Sequence, residues 1–218
     1  MDLIIINASP RGNGNSGLIA GAFAEGAALA GGRSECYCLA DRARWADAQT
    51  AIGRGEHVLF VLPAFFESPP GIMLEFLEEL ALRLRSADPI ETREMSFIVH
   101  GGFPEACQRR CCERYLKKIP DMMDSRFAGI LSRGDTFFMV NVLPEQAAGL
   151  LDAFRDMGRQ FVEHGGNFFF PEAEAFTGSE YFTPQELRYY VRMSGVFLER
   201  LAMEKGCQGT LMDFPYDS

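Results

Sequence analysis

The first thirty residues constrain this chain more than any other stretch. Residues 2–7 (DLIIIN) form a short, continuous apolar run, the pattern of a strand buried on both faces. A loop of glycines and small polar residues follows: Ala8, Ser9, Pro10, Arg11, Gly12, Asn13, Gly14, Asn15, Ser16 and Gly17. Residues 18–30 then place apolar side chains at helical spacing, with Ile19, Ala22, Phe23, Gly26 and Leu29 on one stripe, and Gly31-Gly32 supplies a stop. A buried strand running through such a loop into a helix start gathers free backbone N–H groups around one point, where an anion can sit. Ser9, Asn13, Asn15 and Ser16 add side-chain donors and Arg11 adds a charge. The stretch reads as a phosphate cradle.

Three other motifs compete for the same residues. Gly12 to Gly17 fits G-x-G-x-x-G, with Glu35 or Asp41 downstream as a ribose acid. In a dinucleotide fold, however, the first glycine follows the strand almost at once, and here Ala8 to Arg11 intervene. A Walker A loop needs lysine and then Ser or Thr after the last glycine, where this chain has Leu18-Ile19. The serine elbow G-x-S-x-G fails because Ser16 is followed by Gly17-Leu18. A longer polar loop suits a terminal monophosphate, whose several oxygens can meet separate donors.

Beyond the loop, strand and helix patterns alternate. Strands are predicted near 3–7, 33–39, 57–62 (HVLFVL), 95–99 (MSFIV) and 127–132, and helices near 16–30, 41–52, 71–84, 104–119 and 144–164. Apolar strands alternating with helices imply a parallel sheet covered on both faces, an α/β doubly wound fold of five strands in the order 2-1-3-4-5. In that order a ligand lies outside the carboxyl ends of strands one and three. Three loops reach it, at 8–16, 63–71 and 100–105. The second carries Phe65 and Phe66 between prolines, and the third carries Gly101, Gly102 and Phe103. Phosphate donors, flat apolar surfaces and closely approachable backbone together suit a phosphorylated planar heterocycle.

After residue 165 comes an aromatic segment, then Thr183-Pro184-Gln185-Glu186, a capping box that opens a last helix ending at Gly206. No linker divides the chain, so the expectation is one domain over 1–218, with a core at 1–165 and an aromatic segment plus C-terminal helix at 166–218. A short sheet domain has no need for the aromatic run from Phe168 to Phe182 or for the last helix, which points to a homodimer, with an extra layer packed on the same subunit as the alternative. A net charge of −9 argues against nucleic acid or anionic membrane as partner. No run is long and apolar enough for a membrane span and no basic leader precedes the first strand, so the cytoplasm is the expected compartment. The six cysteines show no C-x-x-C spacing and read as small buried hydrophobes, with Cys107 and Cys111 on one helix face. No metal site is expected.

The loop ASPRGNGNS resembles the phosphate loop of NADPH-dependent FMN reductases of the flavodoxin-like class, written GSPR-x-x-G-N-[ST]. Pro63 to Phe76 resembles the second flavin loop of that family, P-x-Y-x-x-x-x-P-x-x-x-K-x-F, and His100 to Glu105 resembles the third. Phe65 stands where the family commonly has tyrosine, and Leu74 where it commonly has lysine. The resemblance covers roughly the first 165 residues. It implies a flavodoxin-like fold with FMN as cofactor and NAD(P)H as co-substrate. Ser9, Arg11, Asn13, Asn15 and Ser16 would hold the phosphate. Pro63, Ala64, Phe65, Phe66 and Ser68 would flank the isoalloxazine, and Gly101, Gly102 and Phe103 would border its polar edge. The implied activity is reduction of flavin, quinone or a similar small acceptor, with hydride passing through FMN N5. A flavodoxin-type electron carrier and a non-redox binding protein that kept the fold stand as alternatives.

Overall fold

A computed structural model describes residues 1–84, 93–137, 139 and 144–207. Five strands, β1 (Asp2–Asn7), β2 (Arg33–Cys38), β3 (His57–Pro63), β4 (Glu94–His100) and β5 (Arg126–Arg133), form one parallel sheet in the order β2-β1-β3-β4-β5. The predicted order is the observed one. The helices are α1 (Asn15–Leu29), α2 (Trp45–Arg54), α3 (Gly71–Leu84), α4 (Arg110–Leu116), α5 (Ile119–Met122), α6 (Pro144–Glu163), α7 (Pro171–Phe176) and α8 (Pro184–Glu204).

The central strands are apolar throughout because both faces are covered. One face packs Ile4, Ile6, Val58, Phe60, Phe97 and Val99 under Trp45 of α2 and Phe76 of α3. The other packs Leu3, Ile5, Leu59, Val61 and Ile98 under Phe23 of α1 and Phe154 and Phe161 of α6. On this second face α1 and α6 cross with their backbones nearly touching. A β-carbon at Gly26 would overlap the Arg155 carbonyl group, and one at Gly158 would overlap that of Phe23. Glycine at both positions is what permits the crossing.

Several expectations are corrected. The helix predicted from residue 41 begins at Trp45, after a 3-10 turn at Arg42–Arg44. Its indole Nε1–H donates to the Leu39 carbonyl at 2.9 Å, which anchors that entry. The helix predicted over 104–119 breaks into a 3-10 turn (Ala106–Arg109), α4 and α5. Pro120 opens α5, and the Arg109 side chain takes the carbonyls of Phe103 and Glu105. Cys107 and Cys111 therefore do not share a helix. Of the six cysteines only Cys112 is buried; Cys36 is exposed on the edge strand β2 and Cys111 on α4, and Cys207 is exposed past the end of α8.

The described chain divides into two compact units, Met1–Ser179 and Glu180–Ser218. In the first, Phe168 and Phe170 are buried in the core of their own subunit, so these two are not the intersubunit aromatics the sequence suggested. The Phe161 and Phe168 rings lie 4.7 Å apart. Phe169 remains exposed. In the second unit α8 begins with the predicted capping box: Thr183 Oγ1 accepts from the Glu186 N–H, and the Glu186 carboxylate accepts from the Thr183 N–H. Gly206, with φ +76°, stands just past its end.

Candidate functional site

The carboxyl ends of β1, β3 and β4 open into a cavity of about 660 Å³, at the place where the strand order reverses. Its wall contains Ser9, Arg11, Asn15 and Ser16 from the first loop, Pro63, Ala64, Phe65 and Phe66 from the second, and Gly101, Gly102 and Phe103 from the third. The three sequence-predicted loops are thus brought together. Asn13 and Ser68 are exposed residues outside this wall. Leu74, half-buried on the first turn of α3, lies outside it too.

Within the first loop, the Asn7 side-chain oxygen accepts from the Ser9 N–H at 3.1 Å, and Ser9 Oγ accepts from the Arg11 N–H at 3.1 Å. These two local turns carry the backbone from the strand end to the helix start. The N-cap position of α1 is Gly14, which has no side chain to cap the helix. Gly17 N–H bonds the Gly14 carbonyl, but the N–H groups of Asn15 and Ser16 find no acceptor among the described residues. The positive end of a fifteen-residue helix therefore faces the cavity uncapped. Arg11 stands exposed at its rim.

The second loop is a two-residue hairpin. Phe65 and Ser68 exchange both backbone hydrogen bonds, at 2.9 and 3.0 Å, around Phe66 and Glu67. Both central residues have positive φ, +46° and +66°, conformations that suit glycine or asparagine better than a bulky side chain. Backbone of this kind costs roughly 1–3 kcal/mol per residue. The turn holds Phe66 fully out in solvent at the cavity mouth, with Phe65 half exposed beside it. Phe103, 68% exposed, stands across from them on the third loop.

The cavity floor was not legible in the sequence. Arg109 is fully buried and donates to Ser132 Oγ (2.9 Å) and to the carbonyls of Phe103 (3.0 Å), Glu105 (3.0 Å) and Thr177 (3.3 Å). Burial draws its guanidinium below the usual arginine range, opposed by nearby Glu113, and it remains a cation at neutral pH. His100, at the end of β4, is also buried. Its Nε2 lies 2.7 Å from Ser16 Oγ and its Nδ1 lies 2.9 Å from Thr136 Oγ1. Burial first, and then the Arg109 charge, push its pKa down to about 3, so the imidazole is neutral. Asn15 Nδ2 donates to the Thr136 carbonyl at 2.5 Å, while Asn15 Oδ1 is buried without a partner among the described residues. Thr136 and Phe137, just past β5, and Gln108 complete this side. Only His100 carried a signal, as the polar end of an apolar strand; Arg109, Thr136 and Phe137 carried none.

No protein-family model matches the chain, and no curated protein matches it. Solved structures do. An NAD(P)H:quinone oxidoreductase from Methanothermobacter marburgensis superposes with a TM-score of 0.59 at 16% identity, over 75% of this chain and 96% of that one. An NADH:FMN oxidoreductase in its apo form gives 0.54 at 16% identity, over 85% and 98%. The general stress protein 14 from Treponema denticola, in complex with FMN, gives 0.53 at 14% identity, over 75% and 98%. With its five parallel strands in the order 2-1-3-4-5, the chain has the flavodoxin-like fold, which it shares with these three proteins.

Proposed function

We propose that this protein is an FMN-dependent NAD(P)H oxidoreductase acting on a flavin, a quinone or a similar small acceptor. The observation that carries the reading is the cavity itself: an uncapped helix N-terminus at one end and exposed aromatic rings at the other. An FMN phosphate fits the first, through the N–H groups of Asn15 and Ser16, the Ser9 and Asn13 side chains and the Arg11 charge. Asn15 Oδ1, buried and without a partner, can accept from a ribityl hydroxyl. Phe65, Phe66 and Phe103 offer planar apolar surface to an isoalloxazine, with Pro63, Ala64 and Ser68 shaping the second loop. Gly101 and Gly102 let the third loop approach the ring edge.

FMN, when bound, supplies two-electron hydride chemistry at N5. The chain's own share is to bind, orient and exclude water. The strained hairpin keeps Phe66 extended over the mouth, and the buried Arg109 cation holds the third loop in place. Pyridine-nucleotide oxidoreductases carried on the same fold support an enzyme over a carrier. Absorbance spectra with and without added FMN test the cofactor. Mixing the FMN-loaded protein with NADH or NADPH without oxygen then tests the reaction: fast bleaching in one phase is expected. Slow or absent bleaching by both nucleotides would leave a carrier.

The same reading includes a cytoplasmic, reducing setting, which six cysteines outside any disulfide suit. It also includes a homodimer built on α8. None of the twenty-one residues of α8 is buried in the described chain. Tyr189, Met193, Val196 and Met203 are exposed on one face at helical spacing. A second copy of the chain is the occupant proposed for this face. A monomer mass by light scattering at micromolar concentration would exclude it.

A further inference from the structure

Ser16, His100, Thr136 and Gly101 form a continuous chain of hydrogen bonds from the N-terminus of α1 to the third loop. The separations are 2.7 Å from Ser16 Oγ to Nε2, 2.9 Å from Nδ1 to Thr136 Oγ1, and 3.0 Å from Thr136 Oγ1 to the Gly101 carbonyl oxygen. Three of the four members, Ser16, His100 and Thr136, are buried, so bulk water does not compete for these bonds. Each hydroxyl has one proton, and a neutral imidazole has one N–H and one lone pair. The chain can therefore run in only two senses. In the first, Ser16 donates to Nε2, Nδ1–H donates to Thr136 Oγ1, and Thr136 donates to the Gly101 carbonyl. In the second, Thr136 donates to Nδ1, Nε2–H donates to Ser16 Oγ, and the Ser16 proton points away from His100.

Counting bonds decides between them. Without a ligand the first sense makes three bonds and the second makes two, because the Ser16 proton then has no acceptor among the described residues. A phosphate at the end of α1 supplies that acceptor, and a charged one, which restores the third bond and strengthens it. The Gly101 carbonyl meanwhile keeps its bond from the Thr136 N–H at 3.0 Å and gains a free lone pair on the third loop.

We propose that this chain is a relay that reverses when phosphate binds, moving the His100 proton from Nδ1 to Nε2 and freeing the Gly101 carbonyl to accept a bond from the ligand. The inference rests on the reading that the FMN phosphate sits at α1. Protons balance: three are present before and after, one leaves Nδ1 to solvent as one reaches Nε2 from solvent, and the net charge does not change. His100 is a positioning residue here. It couples the two ends of the ligand, so that the ring-edge acceptor is completed only when the phosphate is seated.

Nitrogen-15 NMR of the His100 ring in the full-length protein reads the tautomer directly. The expected result is protonated Nδ1 in the free protein and with riboflavin, and protonated Nε2 with FMN. Thr136→Ser should keep the reversal, and Thr136→Val should abolish the ligand-dependent change. The same tautomer in free and FMN-bound protein, reversal by riboflavin, or reversal that survives Thr136→Val would each overturn the relay while leaving FMN binding intact. Absence of FMN binding in parallel absorbance titrations would instead remove the functional reading, and the relay with it.

Discussion

Helix α1 starts at a glycine that cannot cap it, yet it buries Ser16, Ile19, Ala20, Ala22, Phe23, Gly26 and Ala27. Helix α8 starts with a complete capping box, yet it buries none of its residues in the described chain. The starts of the two helices are specified differently. Local signals specify α8: a cap, a proline in its first turn and a glycine just past its end. Tertiary packing holds α1, through the crossing with α6 and the sheet beneath, and this leaves its first turn free of structural duty. A helix secured elsewhere along its length can keep its N–H groups unsatisfied for a ligand. One whose first turn is closed by a capping box has already used those N–H groups.

Acid should give the largest effect, and at the start of α1 it acts through His100, which bonds Ser16. Burial and Arg109 hold His100 down at about 3 from an ordinary value of 6.5. Between these values the unfolded chain binds the proton and the folded protein does not. Stability is therefore full above about 6.5 and is lost as pH falls toward 3. The loss is about 1.4 kcal/mol per pH unit, roughly 5 kcal/mol in all. Urea denaturation of the wild type and His100→Gln at several pH values checks this, and the variant should show the shallower acid slope.

Next in size is the crossing. Gly26→Ala forces a β-carbon into the Arg155 backbone and should destabilise the first unit by about 3 kcal/mol or more. Gly21→Ala, on the same helix with nothing within 4 Å, should instead stabilise by about 1 kcal/mol. Thermal melts of the pair would show opposite signs. If both were neutral, packing would not be what secures α1.

Thr183→Ala removes the α8 cap, at about 1 kcal/mol. The loss should appear as faster hydrogen exchange in the first turns of α8, where the cap closes the helix. Unchanged exchange there would mean that the cap does not hold this end of the helix.

Gly14→Ser exchanges the two regimes at α1. A β-carbon at Gly14 meets Arg11 at an ordinary 3.6 Å, so serine fits, and its hydroxyl can satisfy a first-turn N–H. Stability should rise by only a few tenths of a kcal/mol. FMN affinity should fall about tenfold, equivalent to roughly 1.4 kcal/mol, with riboflavin affinity unaffected. Equal losses for both ligands would place the phosphate elsewhere.

The sequence by itself determined the strands, their parallel pairing and the three loops at their carboxyl ends. Strands such as His57–Pro63 and Glu94–His100 are apolar on both faces, and only a sheet covered on both sides makes use of that. The Thr183 cap and the glycine stop at Gly31 were legible for the same reason: each is a local signal complete within a few residues. Tertiary structure alone decided the cavity floor. Arg109 and Thr136 come from segments that are irregular in sequence terms, and they reach the site only because β4 and β5 are neighbours that end together. It also decided that Phe168 and Phe170 turn inward, since the bulge around Gly129 brings the Phe168 N–H to the Ala128 carbonyl and its ring to the core. Hydrophobic period and cap chemistry are carried by near neighbours along the chain, whereas a buried charge or a hydrogen-bond relay depends on partners 23 to 84 residues away, and only the folded sheet fixes those distances.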